Sequence, residues 1–453
     1  MDRFETHVHH IWSNTRLLDS INRIEKSVEY AIEIGLKGYC ITDHGCVCGW
    51  IKANQMQKEL DAKGIDFKIG LGEEGYLVDS RESGIKYYHI IWIAKDKIGA
   101  KQIRRISSIA NLNSYFDRGM ERVPITKEEV EMVIGKDKGH IIVTTACLGG
   151  ELSSSILEME NARKIGDTRT AEVAKQKIIN FVLWGKNLFG DDFYFEVAPA
   201  ANKEQIIVNK KIVELSNVFD VKVILGSDAH YLRKEDRPIH SAFLKAQEAE
   251  RETDEFYATT YLMGDDEIRG YFDYLSDDKI EQAYSYIEEI QDKCQDYTLI
   301  KPLKIPSLVW RDPEPIDEDR LNYYITQMPM MKKFLDSDFE GDRRMIKLII
   351  NKLEKDERLR NKKHYDMINN NLDITLRSSE VNKTHWSAYF LNLQKNIDIC
   401  WEAGSLVGPG RGSGVGFLLL YLLDITQINP LWEQTATFAW RLTEIGLKAS
   451  FAW

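Results

Sequence analysis

The sequence predicts an α/β protein: a barrel of repeated strand–loop–helix units, followed by a largely helical second half. Short apolar strands alternate with helix-period segments through residues 4–230, a rhythm that implies a mostly parallel sheet. About seven such units over roughly 230 residues are too many for a small open sheet and suggest closure into a barrel. Beyond Tyr261-Leu262-Met263 the rhythm stops and helical patterns take over.

Taken in order, residues 4–9 read as a strand and lead into a polar loop through Ser13-Asn14-Thr15 to Asp19. Ile24, Val28, Ala31, Ile32 and Ile34 recur at helical spacing, and Gly35 stands where a helix stop is expected. Residues 38–42 form a short buried-type strand that runs directly into Asp43-His44-Gly45, and a helix pattern covers residues 50–62. Strands follow over 67–78, carrying Glu74, and over 87–94, carrying His89. A helix pattern covers 97–112, and Thr126-Lys127-Glu128-Glu129 is a capping box that opens another. Residues 140–145 are the next strand and end in Ala146-Cys147-Leu148-Gly149-Gly150. After a helical hairpin come the strand Phe193-Tyr194-Phe195-Glu196 and a helix over 203–219. Residues 221–225 then lead straight into Gly226-Ser227-Asp228-Ala229-His230.

The composition is that of a globular chain, with 43% hydrophobic and 29% charged residues. No apolar run approaches the roughly 20 residues of a membrane helix. The N-terminus carries no signal pattern and the six cysteines are scattered, which together place the chain in the reducing cytoplasm. A net charge of −11 argues against a surface coated for nucleic acid, yet leaves room for a local basic groove.

Functional groups of such barrels sit at the C-terminal ends of the strands, so that is where chemistry should appear. His7 and His9, two residues apart on an extended strand, point the same way and can close on one metal ion. Asp43-His44, Cys147 and Asp228-x-His230 all lie at or just past a strand end, whereas Glu74 and His89 lie within strands. Each has a bland alternative: Asp-His-Gly as a turn, Cys147 as small core, Ser-Asp-Ala-His as a helix cap. Recurrence of all of them around one barrel is hard to explain as packing. Mixed nitrogen, oxygen and sulfur ligands suit zinc, manganese or iron rather than calcium.

The succession His7-x-His9, Asp43-His44-Gly45, Gly72-x-Glu74-x-Tyr76, Tyr88-His89, Ala146-Cys147-Leu148-x-Gly150 and Asp228-x-His230-Tyr231 resembles the PHP (polymerase and histidinol phosphatase) domain. The resemblance implies a distorted (β/α)7 barrel over residues 1–270 that holds up to three divalent metals for phosphoester hydrolysis. By position it implies His7, His9, Asp19, Asp43, His44, Glu74, His89, Cys147, Asp228 and His230 as metal ligands. Asp228, His230 and His44 are then the residues of a hydrolytic site. His10 stands where the family commonly has serine, as an extra ligand or an exposed side chain.

In the second half, Pro302, Pro306, Pro313 and Pro315 mark a linker or domain edge, so residues 271–316 read as linker and entry to the next domain. The basic run 358–363 reads as a solvated face. The sharpest motif is Val407-Gly-Pro-Gly-Arg-Gly-Ser-Gly-Val-Gly416, followed by an apolar helix pattern over 417–423. Glycines expose backbone N–H groups, Arg411 offers a bidentate phosphate partner, and a following helix start favours an anion. With its flanks, Ser387-Ala388-Tyr389-Phe390 and Asp424-Ile-Thr-Gln-Ile-Asn-Pro-Leu431, this stretch resembles the bacterial DNA polymerase III alpha subunits. The resemblance implies that residues 317–453 are an incomplete, nucleotidyltransferase-like palm (α+β). It implies Gly410, Arg411, Gly412, Ser413 and Gly414 as the triphosphate-holding residues, with DNA primer-template, deoxynucleoside triphosphate and proofreading or clamp subunits as partners. The family continues into an Asp-x-Asp segment, but here no aspartate follows Asp424. No residue catalytic for polymerisation is therefore expected in this chain, and magnesium with nucleotide only where another chain completes the palm. Three readings follow: the N-terminal part of a replicative polymerase, a PHP phosphoesterase or 3′–5′ exonuclease acting alone, or a non-catalytic replisome module.

Overall fold

The first strands are runs of β-branched and aromatic residues buried on both faces, as strands covered by crossover helices must be. In chain order the strands are β1 (Phe4–Val8), β2 (Gly38–Ile41), β3 (Lys68–Val78), β4 (Tyr88–Ala94), β5 (Tyr115–Asp117), β6 (Met120–Arg122), β7 (Pro124–Thr126), β8 (Ile141–Thr144), β9 (Phe193–Val197) and β10 (Val223–Leu225), of which β5 leaves Phe116 exposed. The computed structural model describes residues 3–81, 85–117, 120–246, 256–306 and 315–432, and it divides into units 1–301 and 302–453.

In the first unit the sheet runs β1-β2-β3-β4-β8-β9-β10, with β7 paired to β3 and β5–β6 as a separate hairpin. The sheet curls until its ends meet. Val8 bridges Ala229 in parallel, the His9 N–H donating to the Ala229 carbonyl at 2.9 Å and the Ala229 N–H to the His7 carbonyl at 3.1 Å. The expected distorted barrel is thus present, and β4 is the source of its distortion. It runs antiparallel to both β3 and β8, while the other pairs along the path are parallel. The expectation of parallel units fails there because hydrophobicity fixes which face of a strand is buried, not its direction.

Helices α1 (Ile24–Glu33), α2 (Trp50–Ala62), α3 (Lys97–Leu112), α4 (Lys127–Ile134), α5 (Glu151–Lys164), α6 (Thr168–Phe189) and α7 (Lys203–Phe219) connect the strands. Their starts are written in side chains. The Asp96 carboxylate accepts from the Ile98 and Gly99 N–H groups, Asn202 from that of Gln205, and Thr126 and Glu129 form the expected capping box. Each such cap contributes about 1 kcal/mol. α5 and α6 are the helical hairpin.

Next come α8 (Arg237–Lys245), α9 (Asp265–Gly270) and α10 (Asp277–Lys293). α10 buries Ile280, Ala283, Tyr284, Ile287 and Ile290 in the barrel's own core. Residues 271–301, read from sequence as part of a linker, therefore belong to the first unit. The amphipathic period defined the helix's apolar face but not the surface it covers.

The second unit is built of α11 (Glu318–Gln327), α12 (Met330–Leu335), α13 (Glu340–Lys355), α14 (Lys362–Asn382), α15 (Trp386–Glu402) and α16 (Leu418–Leu422). Met345, Ile346, Ile349, Ile350 and Leu353 of α13 pack with Ile368, Leu372 and residues 417–420 as a separate core. Among its described residues no strand occurs, so the expected α+β palm is represented there by helices. Pro313 of the proline cluster and the carboxylate-poor stretch 433–453 lie outside the described residues. Among the described residues no helix is long and apolar enough to cross a membrane.

One buried ion pair fastens the barrel's closure. The Arg3 guanidinium pairs with Glu5 and donates to the Met263 carbonyl at 2.6 Å. Glu5 in turn accepts from the His7 and Ser227 N–H groups at 3.1 and 3.0 Å and from the Ser227 hydroxyl. Removing the carboxylate leaves Asp265, whose Oδ1 lies 3.4 Å from Nε, as the only carboxylate beside the buried Arg3 cation among the described residues, and frees two backbone donors. Glu5→Ala is therefore expected to destabilise the first unit by about 3–5 kcal/mol. Arg3→Met should cost less, because Glu5 keeps its other donors. Urea unfolding followed by far-UV circular dichroism measures the difference.

Candidate metal centre and nucleotide loop

Because side chains alternate along β1, Glu5, His7 and His9 face one way and His10 the other. His10 is buried and bonds the Tyr39 hydroxyl at 3.2 Å, so it is neither exposed nor in a ligand group among the described residues. β3 extends past its parallel neighbours and carries Glu74 to the same end as Asp43-His44, where His44 bridges Glu74. The reversal of β4 explains His89. With Tyr76 opposite His89 and Ile91 opposite Thr144, the N-terminal end of β4 lies where the other strands have their C-terminal ends. Cys147 and Asp228 follow β8 and β10 through residues with left-handed backbones, Ala146 at φ 56° and Asp228 at φ 50°. Non-glycine residues are seldom held there, and such strain concentrates at functional sites.

Three sets of ligand atoms lie within 4.8 Å of one another: His9, His44 and His230; His7, His9, Glu74 and Asp228; and Glu74, His89 and Cys147. His9 belongs to the first two and Glu74 to the last two. In the four-residue set, His7 Nε2 lies 3.0 Å from His9 Nε2 and 3.3 Å from Glu74 Oε2, while Asp228 Oδ1 lies 3.2 Å from both imidazole nitrogens. Ligand atoms about 2.1 Å from a tetrahedral ion stand roughly 3.4 Å apart, so these separations suit a divalent cation.

The outer ring nitrogens support the same assignment. His7 Nδ1 donates to Glu196 Oε1 at 2.7 Å, His9 Nδ1 to Ser13 Oγ at 3.0 Å, and His230 Nδ1 to the Asp228 carbonyl at 2.7 Å. Each bond fixes a tautomer with Nε2 free to accept, the usual way a protein orients a ligating imidazole. Asp19 Oδ1 is buried with no hydrogen bond, a costly condition unless a cation faces it. This buried His, Glu, Asp and Cys cluster is compatible with a metal site.

The sequence-derived set is therefore largely brought together, with two members standing apart from the three groups. Asp19 flanks them, its Oδ2 lying 3.2 Å from His44 Nε2 and 3.4 Å from His230 Nε2. Asp43 sits one layer out. It accepts from the His10 N–H and the Ser13 hydroxyl, each at 2.7 Å, and so holds the Ser13 oxygen that orients His9. Sequence reasoning missed Glu196 and Ser13. The only signal for Glu196 was an acidic residue closing an otherwise apolar strand.

Electrostatics sort the imidazoles. Burial, with His44 and His230 close by, pushes His9 down to about 4. Burial also opposes charge at His7, but Asp228 and Glu196 outweigh it and raise its pKa, as Asp19 and Glu74 do for His44. The same contacts hold Asp19 and Glu74 below the usual carboxylate range against burial. Asp43 is pushed up to about 7, its burial outweighing its bonds to Ser13 and His10 and the neighbouring His44.

In the second unit, residues 408–414 form a loop, exposed over 408–412 and half-buried at Ser413 and Gly414, in which Gly410 and Gly412 have φ of 117° and 66°. A side chain at Gly410 would also strike Val415, at 2.7 Å. Arg411 and Ser413 lie in this loop, with a short 3₁₀ turn over Gly412–Gly416. The apolar run 417–423 was expected to be a helix whose start faces an anion. α16 has only 5 residues, and the Leu418 N–H already donates to Asn371 Oδ1 at 2.9 Å. Any anion there must rest on the loop's own N–H groups and on Arg411.

Residues 5–200 match the model of the PHP domain, and residues 343–443 that of the bacterial DNA polymerase III alpha NTPase domain. The probable DNA polymerase YorL of Bacillus subtilis (strain 168) is 38% identical over 455 residues, covering 94% of this chain and 34% of its own length. The DNA-directed DNA polymerase of Bacillus phage SPbeta gives the same figures, 38% over 455 residues, with 94% of this chain and 34% of that protein covered. The DNA polymerase III subunit alpha of Borreliella burgdorferi is 26% identical over 439 residues, covering 93% of this chain and 32% of that protein. The chain thus spans about a third of the length of these relatives. The chain carries a PHP domain followed by a bacterial DNA polymerase III alpha domain, and is similar along nearly all its length to proteins named DNA polymerases.

Proposed function

We propose that the chain serves template-directed DNA synthesis as the PHP barrel and palm entry of a polymerase III alpha assembly. The observation that supports this most is the presence, in one chain, of a multi-ligand barrel mouth and the glycine loop 408–416 within the stretch matching the polymerase alpha domain. In this reading Gly410, Arg411, Gly412, Ser413 and Gly414 hold the triphosphate of an incoming deoxynucleotide. Arg411 meets the phosphate oxygens in bidentate fashion, and glycines at 410 and 412 let the backbone donors come close. Residues 425–453 hold no aspartate, so in this reading the catalytic carboxylates and magnesium come with the segment that completes the palm. Partners in this reading are primer-template DNA, a chain segment completing the palm, and proofreading and clamp subunits.

A second reading rests on the barrel mouth alone: a metal-dependent phosphoesterase or 3′–5′ exonuclease. His7, His9, His44, Glu74, His89, Cys147, Asp228 and His230 would hold zinc, manganese or iron, with Asp19 beside them and Asp43 orienting through Ser13. Divalent cations there would supply Lewis acidity towards water and phosphate. The chain's own contribution is orientation: Glu196 holds the His7 proton at Nδ1, Ser13 holds that of His9, and the Asp228 carbonyl holds that of His230. Each therefore presents an unprotonated Nε2 to the centre.

Two measurements separate these readings. After dialysis against buffered divalent metals, elemental analysis should find more than one ion per native chain. Glu74→Ala, which serves two ligand groups, should lose more metal than Cys147→Ala, which serves one. Single-stranded DNA hydrolysis and primer extension should then be assayed on the native chain and on Asp228→Ala. No primer extension is expected from either. Metal-dependent hydrolysis that falls at least about 100-fold in Asp228→Ala would support the hydrolytic reading. Extension by the isolated chain would sink the argument from missing carboxylates.

A further inference from the structure

The hairpin β5–β6 brings to the edge of the barrel mouth a cation that neither reading uses. Tyr115 stands opposite Arg122, and Phe116 opposite Glu121, across the hairpin. Glu121 ties the hairpin down, pairing with Arg16 and accepting from the Ser114 hydroxyl at 2.7 Å. Arg16 also donates to Asn111 Oδ1, so both prongs of its guanidinium are engaged. The chain then passes through Val123 into β7, where Pro124 pairs with Tyr76 of β3. A side chain at Gly45, in the turn that carries His44, would strike Val123 at 2.6 Å and Tyr76 at 3.2 Å. The exit of the hairpin is therefore pressed against the ligand-bearing turn, which gives Arg122 a fixed seat. Arg16, Tyr76, Tyr87, His89, Glu121 and Arg122 all line one cleft.

Arg122 differs from Arg16 in having no carboxylate partner among the described residues. Its Nη1 donates to the Tyr87 hydroxyl oxygen at 2.8 Å, its Cζ lies 4.9 Å from the centre of the Tyr87 ring, and its Nε is buried with no hydrogen bond. Tyr87 in turn lies nearly parallel to the His89 imidazole, with 10° between planes and 6.3 Å between centres. Because its oxygen accepts from Arg122, the Tyr87 hydroxyl keeps its own proton to donate. A half-buried guanidinium short of an anion, beside a hydroxyl donor and in one cleft with His89, is an arrangement suited to phosphate. The free space in the cleft is about 20 Å³, room for one water-sized group. It admits a phosphoryl oxygen but not a nucleobase. We propose that Arg122 and the Tyr87 hydroxyl bind a phosphoryl oxygen of a phosphoester at the barrel mouth, on the His89 side of the candidate metal centre. This rests on the phosphoesterase reading and adds to it the side chains that grip the substrate. Recognition through phosphate alone carries no preference for one base over another.

In the test, the full chain is loaded with manganese by dialysis and titrated with inorganic phosphate in a calorimeter. Arg122→Gln should bind phosphate at least about tenfold more weakly than the native chain, and Arg122→Lys, which keeps the charge without the planar fork, should fall between them. Both should keep the native metal content by elemental analysis, because Arg122 is in none of the three ligand groups. Arg105→Gln, which removes an exposed cation of α3, should change neither quantity. Where the native chain hydrolyses single-stranded DNA, Arg122→Gln should raise KM at least about tenfold with a smaller change in kcat, whatever the base composition. Phosphate binding that depends on Arg122, without hydrolysis, would support the anion site while sinking the phosphoesterase reading. Should Arg122→Gln fail to fold, Tyr87→Phe removes only the hydroxyl and should weaken phosphate binding at least about threefold. No phosphate binding by the native metal-loaded chain, or unchanged affinity in Arg122→Gln with its metal content intact, would overturn the proposal.

Discussion

Everything at the barrel mouth depends on how buried charge is balanced. Asp19, Glu74 and Asp228 are carried out of water beside His7, His9, His44 and His230, and isolated ions so buried would cost several kcal/mol each. Close pairing with imidazole nitrogens offsets part of that cost, and the outer hydrogen bonds to Glu196, Ser13 and the Asp228 carbonyl hold the rings in one orientation. What remains is a cluster of oxygens and nitrogens whose spacing suits cations better than it suits one another. The left-handed backbones at Ala146 and Asp228 show how much local conformation has been given over to this arrangement.

Topology serves the same end. Parallel strands bring their C-terminal ends together, so a ligand from a reversed strand must come from its N-terminal end, and His89 is the second residue of β4. The Val8–Ala229 bridge joins the sheet's edges beside the ligands of the first and last strands. Arg3 and Glu5, anchored to Ser227 and Met263, lock that seam from below the histidines. Closure and ligand placement are thus one structural feature.

The ligands were legible because barrel chemistry collects at strand ends, and each strand end showed an acidic, imidazole or thiol side chain after an apolar run. The reversal of β4 was not legible, since an apolar run reads the same in both directions, and so the place of His89 stayed open. Glu196 was hidden because one carboxylate at the end of Phe193-Tyr194-Phe195 carries no spacing partner; only its contact with His7 gives it a role. Asp43, read as a ligand, stands outside the three ligand groups and is bonded through Oδ1 to His10 and Ser13, a distinction of one side-chain layer that sequence cannot resolve. The helix pattern over 277–293 was visible, but its packing against the barrel rather than within a linker depends on tertiary contact. After the glycine loop, the apolar run gave the buried face correctly and overstated the helix, which Asn371 caps at Leu418.

Glu74 has one further consequence. Its two oxygens are divided between neighbouring groups, Oε2 facing His7, His9 and His44 while Oε1 pairs with His89. The two groups therefore cannot be tuned separately: any rotation that improves the geometry on one side displaces the oxygen on the other. Were both sides to take up cations, binding on one would shift binding on the other, and the shift would be reciprocal by thermodynamic necessity.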